Sequence, residues 1–234
     1  MNTTIQYVGQ HPRKRHQCNP ALKLWWDMYY QNMRVNIEKG PLIENYLATL
    51  LRVMENARRE CPRIFAVRID PRFPARNYIS NTGNDNSYIR NFINHLQWEL
   101  DIAGTKYPHK MRYVWCREQV TSIHHHYHVL LLLSGDAYRS LGNYTHSTGG
   151  SFKRDNLFHR IVRAWSVAIG WPLENMKGLV HIATDDMTKH AYTWHYQRND
   201  QATFEEVFHG ASYMCKEYSK PIGQSIHCFE GSRR

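Results

Sequence analysis

The sequence predicts an α+β domain in which helices pack on a mainly antiparallel sheet. Three observations point there. Apolar residues recur at helical spacing in several separated segments, short runs of β-formers lie between those segments, and two of the runs stand a hairpin's length apart.

From Pro41 the pattern becomes regular. Ile43, Tyr46, Leu47, Leu50, Leu51 and Met54 share one helical face, and Pro41 suits a first helical position, which predicts a helix over 41–59. Ile64 to Asp70 is a run of β-formers stopped by Pro71. The stretch Asn81-Thr82-Gly83-Asn84 reads as loop. Ile89, Phe92, Ile93, Leu96 and Leu100 give a second helix ending near Gly104. Met111–Val120 and His126–Leu133 read as strands joined around Ser122 and Ile123. A third helix carries Leu157, Phe158, Ile161, Val162, Trp165 and Ile169 and closes at Gly170-Trp171-Pro172. Leu179–Ala183 is a fourth strand, and a last helix runs from about Thr203 to Tyr218. The order strand, helix, strand, strand, helix, strand is the split βαβ (βαββαβ), ferredoxin-like or RRM-like arrangement, with helices on one face of the sheet. An extra C-terminal helix follows it.

The 234 residues allow one large domain with extensions. The divisions expected are a basic, polar N-terminal extension over 1–40, a main domain over 41–222 and a tail over 223–234. A net charge of +10 points to a polyanionic partner, nucleic acid ahead of an anionic membrane. No stretch approaches the roughly 18 apolar residues of a membrane span, and the N-terminus lacks a basic-then-apolar signal pattern. Cys18, Cys61, Cys116, Cys215 and Cys228 are odd in number and widely spaced, which fits free thiols in a reducing cytoplasm.

The chemistry concentrates in His124-His125-His126-Tyr127-His128, which leads directly into Val129 and four leucines. His126 and His128 lie two apart in a strand and so face the same way, about 6–7 Å apart along it. Two imidazoles on one face can share a divalent metal, and His124 could join them if the strand reaches back that far. Glu118 and His126 are symmetric about residue 122, the expected hairpin centre, so Glu118 should oppose His126. Two imidazoles and a carboxylate suit a catalytic Mg²⁺ or Mn²⁺, and zinc is a further option. The plain alternatives are a polar strand start and an exposed carboxylate paired with Arg117 or Arg112. On the last helix, Tyr213 and Lys216 are three apart and share a face. A tyrosine can attack a phosphodiester when a nearby cation stabilises its phenolate.

These residues resemble the HUH endonucleases, in particular rolling-circle replication initiators: Glu118, then His126-Tyr127-His128, then Tyr213-x-x-Lys216. The stretches His-Tyr-His-Val-Leu-Leu-Leu-Leu and Ala-Ser-Tyr-Met-Cys-Lys look closest to the YagK/YfjJ-like family of prophage and inovirus replication proteins, over about residues 40–220. The resemblance implies that His126 and His128 bind the metal that polarises the scissile phosphate, with Glu118 completing the site. It implies that Tyr213 attacks that phosphate, leaving a 5′-phosphotyrosine and a free 3′-OH, and that Lys216 assists. Ile64–Asp70 would be the first, central strand. Some members carry a second tyrosine four residues after the first. Here position 217 is Glu and Tyr218 lies five along, on another side of an ideal helix, so Tyr213 is the single expected nucleophile.

Single-stranded DNA at a replication origin is the implied partner, in the cytoplasm of a bacterial host. Host helicase and polymerase are implied as well, because the chain has no phosphate-binding Gly-x-x-x-x-Gly-Lys-Ser/Thr loop. Trp194, His195, Tyr196 and Arg198 form a polar segment expected to stack on and clamp the strand near the nick; the alternative is that Trp194 anchors a loop to the core. Arg68, Arg72, Arg76 or Arg13–Arg15 could contact phosphates. Two other classes share the residues: a metal-dependent hydrolase with water as nucleophile, and a non-catalytic RRM-like single-strand binder.

Overall fold

A computed structural model describes residues 12–74, 86–108, 110–119, 125–145, 152–185 and 187–233. The expected loop at 81–84, the hairpin centre at 122–123, His124 and Arg76 lie outside them. The main sheet is built from β1 (Arg63–Pro71), β2 (Arg112–Glu118), β3 (His126–Ser134), β4 (Val180–Ile182), β5 (Thr193–Gln197) and β6 (Phe229–Gly231). Its order is β6-β2-β3-β1-β4, with β5 also pairing β1, and every strand pair among the described residues is antiparallel. The helices are α1 (Glu44–Glu60), α2 (Ser87–Asp101), α3 (Leu157–Ile169) and α4 (Gln201–Ser212).

The expectation that helices cover one face is corrected. Helices α2 and α3 bury one face, over Phe65, Val67, Ile69, Trp115, Val129 and Leu131. Helices α1 and α4 bury the other, over Ile64, Ala66, Val114, Cys116, Leu130 and Leu132. The physical reason is visible in β3: a strand covered on both faces needs apolar residues at every position, which is why Val129–Leu133 does not alternate.

Several boundaries also differ. Helix α1 starts at Glu44, not Pro41, because Leu42 and Ile43 are extended and pair with Leu24 and Trp25. Helix α4 ends at Ser212, and the chain tightens into a 3₁₀ turn over Tyr213–Cys215. Residues 193–197 form β5 rather than a polar loop. It follows β4 along the same edge of β1, so the two act as one edge strand interrupted by residues 183–192. The described parts of both terminal segments pack on the domain. Leu24, Tyr30, Met33 and Val35 are buried, and Asn36 N donates to Ser212 Oγ at 2.8 Å. At the other end, β6 adds to β2, and Phe229 stacks on Tyr46 with centroids 4.4 Å apart. Among the described residues, no helix is long and apolar enough to cross a membrane.

Candidate metal and tyrosine site

On the α1/α4 face, each central strand carries an apolar row that turns polar at one end of the sheet. Leu132 and Leu130 are followed by His128 and His126, Cys116 by Glu118, and Ala66 by Arg68 and Asp70. The polar ends emerge beneath the end of α4. Glu118 pairs in register with His126, and Cys116 with His128, as the symmetry about residue 122 predicts. Glu118, His126 and His128 each offer a ligand atom, and these atoms all lie within 4.8 Å of one another.

The surrounding contacts fix this cluster. His128 Nδ1 lies 2.6 Å from Asp70 Oδ1, and its Nε2 lies 3.4 Å from Glu118 Oε2. Lys216 Nζ donates to Glu118 Oε2 at 2.8 Å and Lys220 Nζ to Oε1 at 2.6 Å. Glu118 therefore pairs with lysines and a histidine, not with Arg117 or Arg112; Arg112 binds Glu60 instead. Burial opposes ionisation of Glu118, but the His128 hydrogen bond and the Lys220 and Lys216 charges hold it well below the usual carboxylate range. Burial opposes protonation of His128, and its bonds to Asp70 and Glu118 outweigh that and raise its pKa. His126, by contrast, is pushed down to about 4 by burial and by the neighbouring His128.

Tyr213 stands over this cluster. Its ring lies nearly perpendicular to that of His128, with centroids 6.1 Å apart, and Lys216 Nζ is 3.4 Å from the tyrosine centroid. The shared-helix-face expectation for Tyr213 and Lys216 is corrected, because Lys216 lies beyond the helix with extended backbone, φ −58° and ψ 142°. Its position is set by strand-like contacts: Lys216 bridges Leu42, and Glu217 N donates to Pro41 O at 2.9 Å. The residues that do not begin α1 thus hold Lys216 in place. Tyr218 lies in the following turn, off the helix, and is 53% exposed.

The expected DNA contacts fare differently. Tyr196 is 4% exposed and packs edge-on against Phe204, so it is a core residue and presents no stacking face. Arg198 follows β5 where Arg198 N bonds Pro62 O, at the start of β1, whereas the site lies at its far end. Eight residues of strand put these roughly 25 Å apart. Trp194 stacks on Tyr192 and rests against α4. The sequence reading left out Asp70 and Lys220 as site residues and did not rank Arg68. Asp70 had a signal, an acid closing a buried strand; Lys220, in a turn, had none.

The donor set fits a divalent ion. His128 keeps one nitrogen on Asp70 and turns the other to the cluster, the carboxylate–histidine arrangement that orients metal-bound imidazoles. The two ammoniums do not exhaust Glu118, whose oxygens offer about four lone-pair directions.

The chain belongs to the YagK/YfjJ C-terminal domain family, which it matches over residues 27–232. The match begins before residue 40, in agreement with the packing of residues 24–36. The chain is 30% identical to uncharacterized protein YfjJ of Escherichia coli (strain K12) over 124 residues, 53% of this chain and 55% of that protein. It is 27% identical to uncharacterized protein YagK of the same organism over 184 residues, 72% of this chain and 82% of YagK. The matched region thus spans about half the length of YfjJ. No solved structure matches.

Proposed function

We propose that the protein nicks and rejoins single-stranded DNA at a specific site, as an HUH-type endonuclease that initiates rolling-circle replication of a phage or prophage-like element. The observation that carries this reading is the placement of Tyr213 over His128, with the Lys216 ammonium against its ring, directly above the Glu118, His126 and His128 cluster. The sheet order β4-β1-β3-β2 supports reading the core as a ferredoxin-like βαββαβ unit.

In the proposed reaction the Tyr213 oxygen attacks the scissile phosphorus and the phenolic proton passes to solvent water. The bond to the 3′ oxygen breaks, and that oxygen takes up a proton to leave as a free 3′-OH. The 5′ side stays on the enzyme as a phosphotyrosine. Attack by a 3′-OH on the phosphotyrosine runs the same step backwards and rejoins the strand. Lys216 offsets charge on the phenolate, and Asp70 orients His128. Mg²⁺ or Mn²⁺ held by Glu118, His126 and His128 would supply Lewis-acid polarisation of a phosphate oxygen. Host helicase and polymerase would then extend the 3′ end in the bacterial cytoplasm.

The test is to incubate the full chain with Mn²⁺ and a pool of randomised single-stranded oligonucleotides, digest with protease, and map any nucleotide-bearing peptide by mass spectrometry. A 5′-phosphate ester on Tyr213 is expected. Its absence, with the pool bound or cut by hydrolysis, overturns the reading.

A further inference from the structure

Arg68 lies on β1 two residues before Asp70, so both side chains emerge on the face of the site. Its residue is only 7% exposed, and among the described residues no carboxylate lies within ion-pair distance of it, although its charge helps keep nearby Asp70 ionised. A buried cation with no carboxylate in direct contact is unusual, because the lost hydration must be replaced by other contacts. Here part of the replacement comes from α4 and from aromatic rings, while Nε has no hydrogen-bond partner among the described residues. Arg68 Nη1 donates to Gly210 O at 2.8 Å, in the last turn of α4. Carbonyls at a helix end need outside donors, and the helix dipole favours a cation there. The guanidinium carbon lies 4.4 Å from the Tyr192 ring centroid and 5.4 Å from that of Tyr213.

These contacts continue outward. Tyr192 stacks on Trp194 with centroids 5.2 Å apart, and a Cβ on Gly210 would stand 3.0 Å from Trp194 Cζ2. Gly210 is bare where the column and the helix meet. Trp194, Tyr192, Arg68 and Tyr213 therefore form one ring-and-cation column, from the edge strand to the site. The column gives Trp194 a structural role, buttressing the site from the side.

We infer that Arg68 is the positioning residue for Tyr213, holding the last turn of α4 and setting where the phenol stands relative to His128 and Glu118. The role needs a flat guanidinium that donates to Gly210 O while its carbon lies over the Tyr192 ring, which lysine does not supply. The inference rests on the reading of Tyr213 as nucleophile, and the experiment separates the two. The full chain is prepared with 3-fluorotyrosine at position 213, as wild type, Arg68→Lys and Arg68→Met. Two signals are read: the ¹⁹F resonance without DNA, and the single-turnover rate of adduct formation at saturating single-stranded DNA.

Both variants should shift the ¹⁹F resonance. The adduct rate should fall about tenfold in Arg68→Lys and about a hundredfold in Arg68→Met, the scale of a misplaced reacting group. DNA affinity should stay within about twofold. A wild-type rate in folded Arg68→Met overturns the inference, as does a loss confined to DNA affinity. If Arg68→Met does not fold, Arg68→Lys carries both readouts, and a wild-type rate there overturns the inference equally. If wild type forms no adduct, the nucleophile reading fails, and the ¹⁹F resonance alone decides: unchanged in the variants, it sinks the positioning role too.

Discussion

His128 Nδ1 lies 2.6 Å from Asp70 Oδ1, which turns Nε2 of the same ring toward Glu118. The pair joins β1 to β3 one step beyond their last registered partners, Ile69 and Val129. Removing the carboxylate frees the ring to rotate and removes the group that supports it as a ligand. Asp70→Ala should therefore weaken Mn²⁺ binding about 10–100-fold, measured by calorimetry or Mn²⁺ EPR. Unchanged affinity would remove Asp70 from the metal site.

Lys216 acts at two points, on Glu118 Oε2 and on the face of Tyr213. With Lys216→Met, Lys220 still holds the other carboxylate oxygen. The single-turnover adduct rate should then fall about 10²–10³-fold, the cost of losing one electrostatic stabiliser. DNA affinity at fixed salt should change little, because the ammonium is buried. A filter-binding titration beside the rate measurement checks the split.

A third prediction concerns the layer under the other face. Glu99 on α2 accepts from Arg163 Nε at 2.7 Å and Nη2 at 2.6 Å, and from Arg160 Nη1 at 3.1 Å. Glu99→Ala removes one acceptor from buried Arg160, which keeps Asp155 and the backbone oxygen of residue 99, and should cost about 1–3 kcal/mol in denaturant unfolding. The effect should appear as global instability, with Mn²⁺ affinity retained wherever the variant is folded.

Gly231 tests whether the C-terminal strand belongs to the domain. A Cβ there would stand 2.7 Å from Val53 Cγ2 and 3.0 Å from Thr49 Cγ2, both on α1. Gly231→Ala should destabilise by about 1–3 kcal/mol through overpacking. A melting temperature equal to wild type would show that β6 separates from α1 freely.

Much of this was legible in the residues. The pairing of Glu118 with His126 followed from hairpin symmetry, because an antiparallel register is set by its turn. What escaped depended on distant contacts. Thr193–Gln197 alternates with Trp194 and Tyr196 on one face, a strand signal hidden by its polar content and by the interruption at 183–192. Helix α4 stops at Ser212 although the apolar pattern continues through Met214; the stop is held from outside, by Asn36 on Ser212 and by Leu42 on Lys216. No local spacing marks Lys220, which reaches Glu118 from a turn 102 positions away in the chain. Phe229 looked like part of a tail because a three-residue edge strand has too little pattern to declare itself.

The central claim is that Tyr213 is the nucleophile. The direct measurement compares wild type with Tyr213→Phe on single-stranded DNA with Mn²⁺, resolved on a denaturing gel for both adduct and cleaved strand. Wild type should give a covalent adduct and a free 3′-OH fragment, and Tyr213→Phe should give neither while still binding DNA. Cleavage that persists in Tyr213→Phe without adduct would mean that water is the nucleophile, and an adduct that persists would place the linkage on another residue.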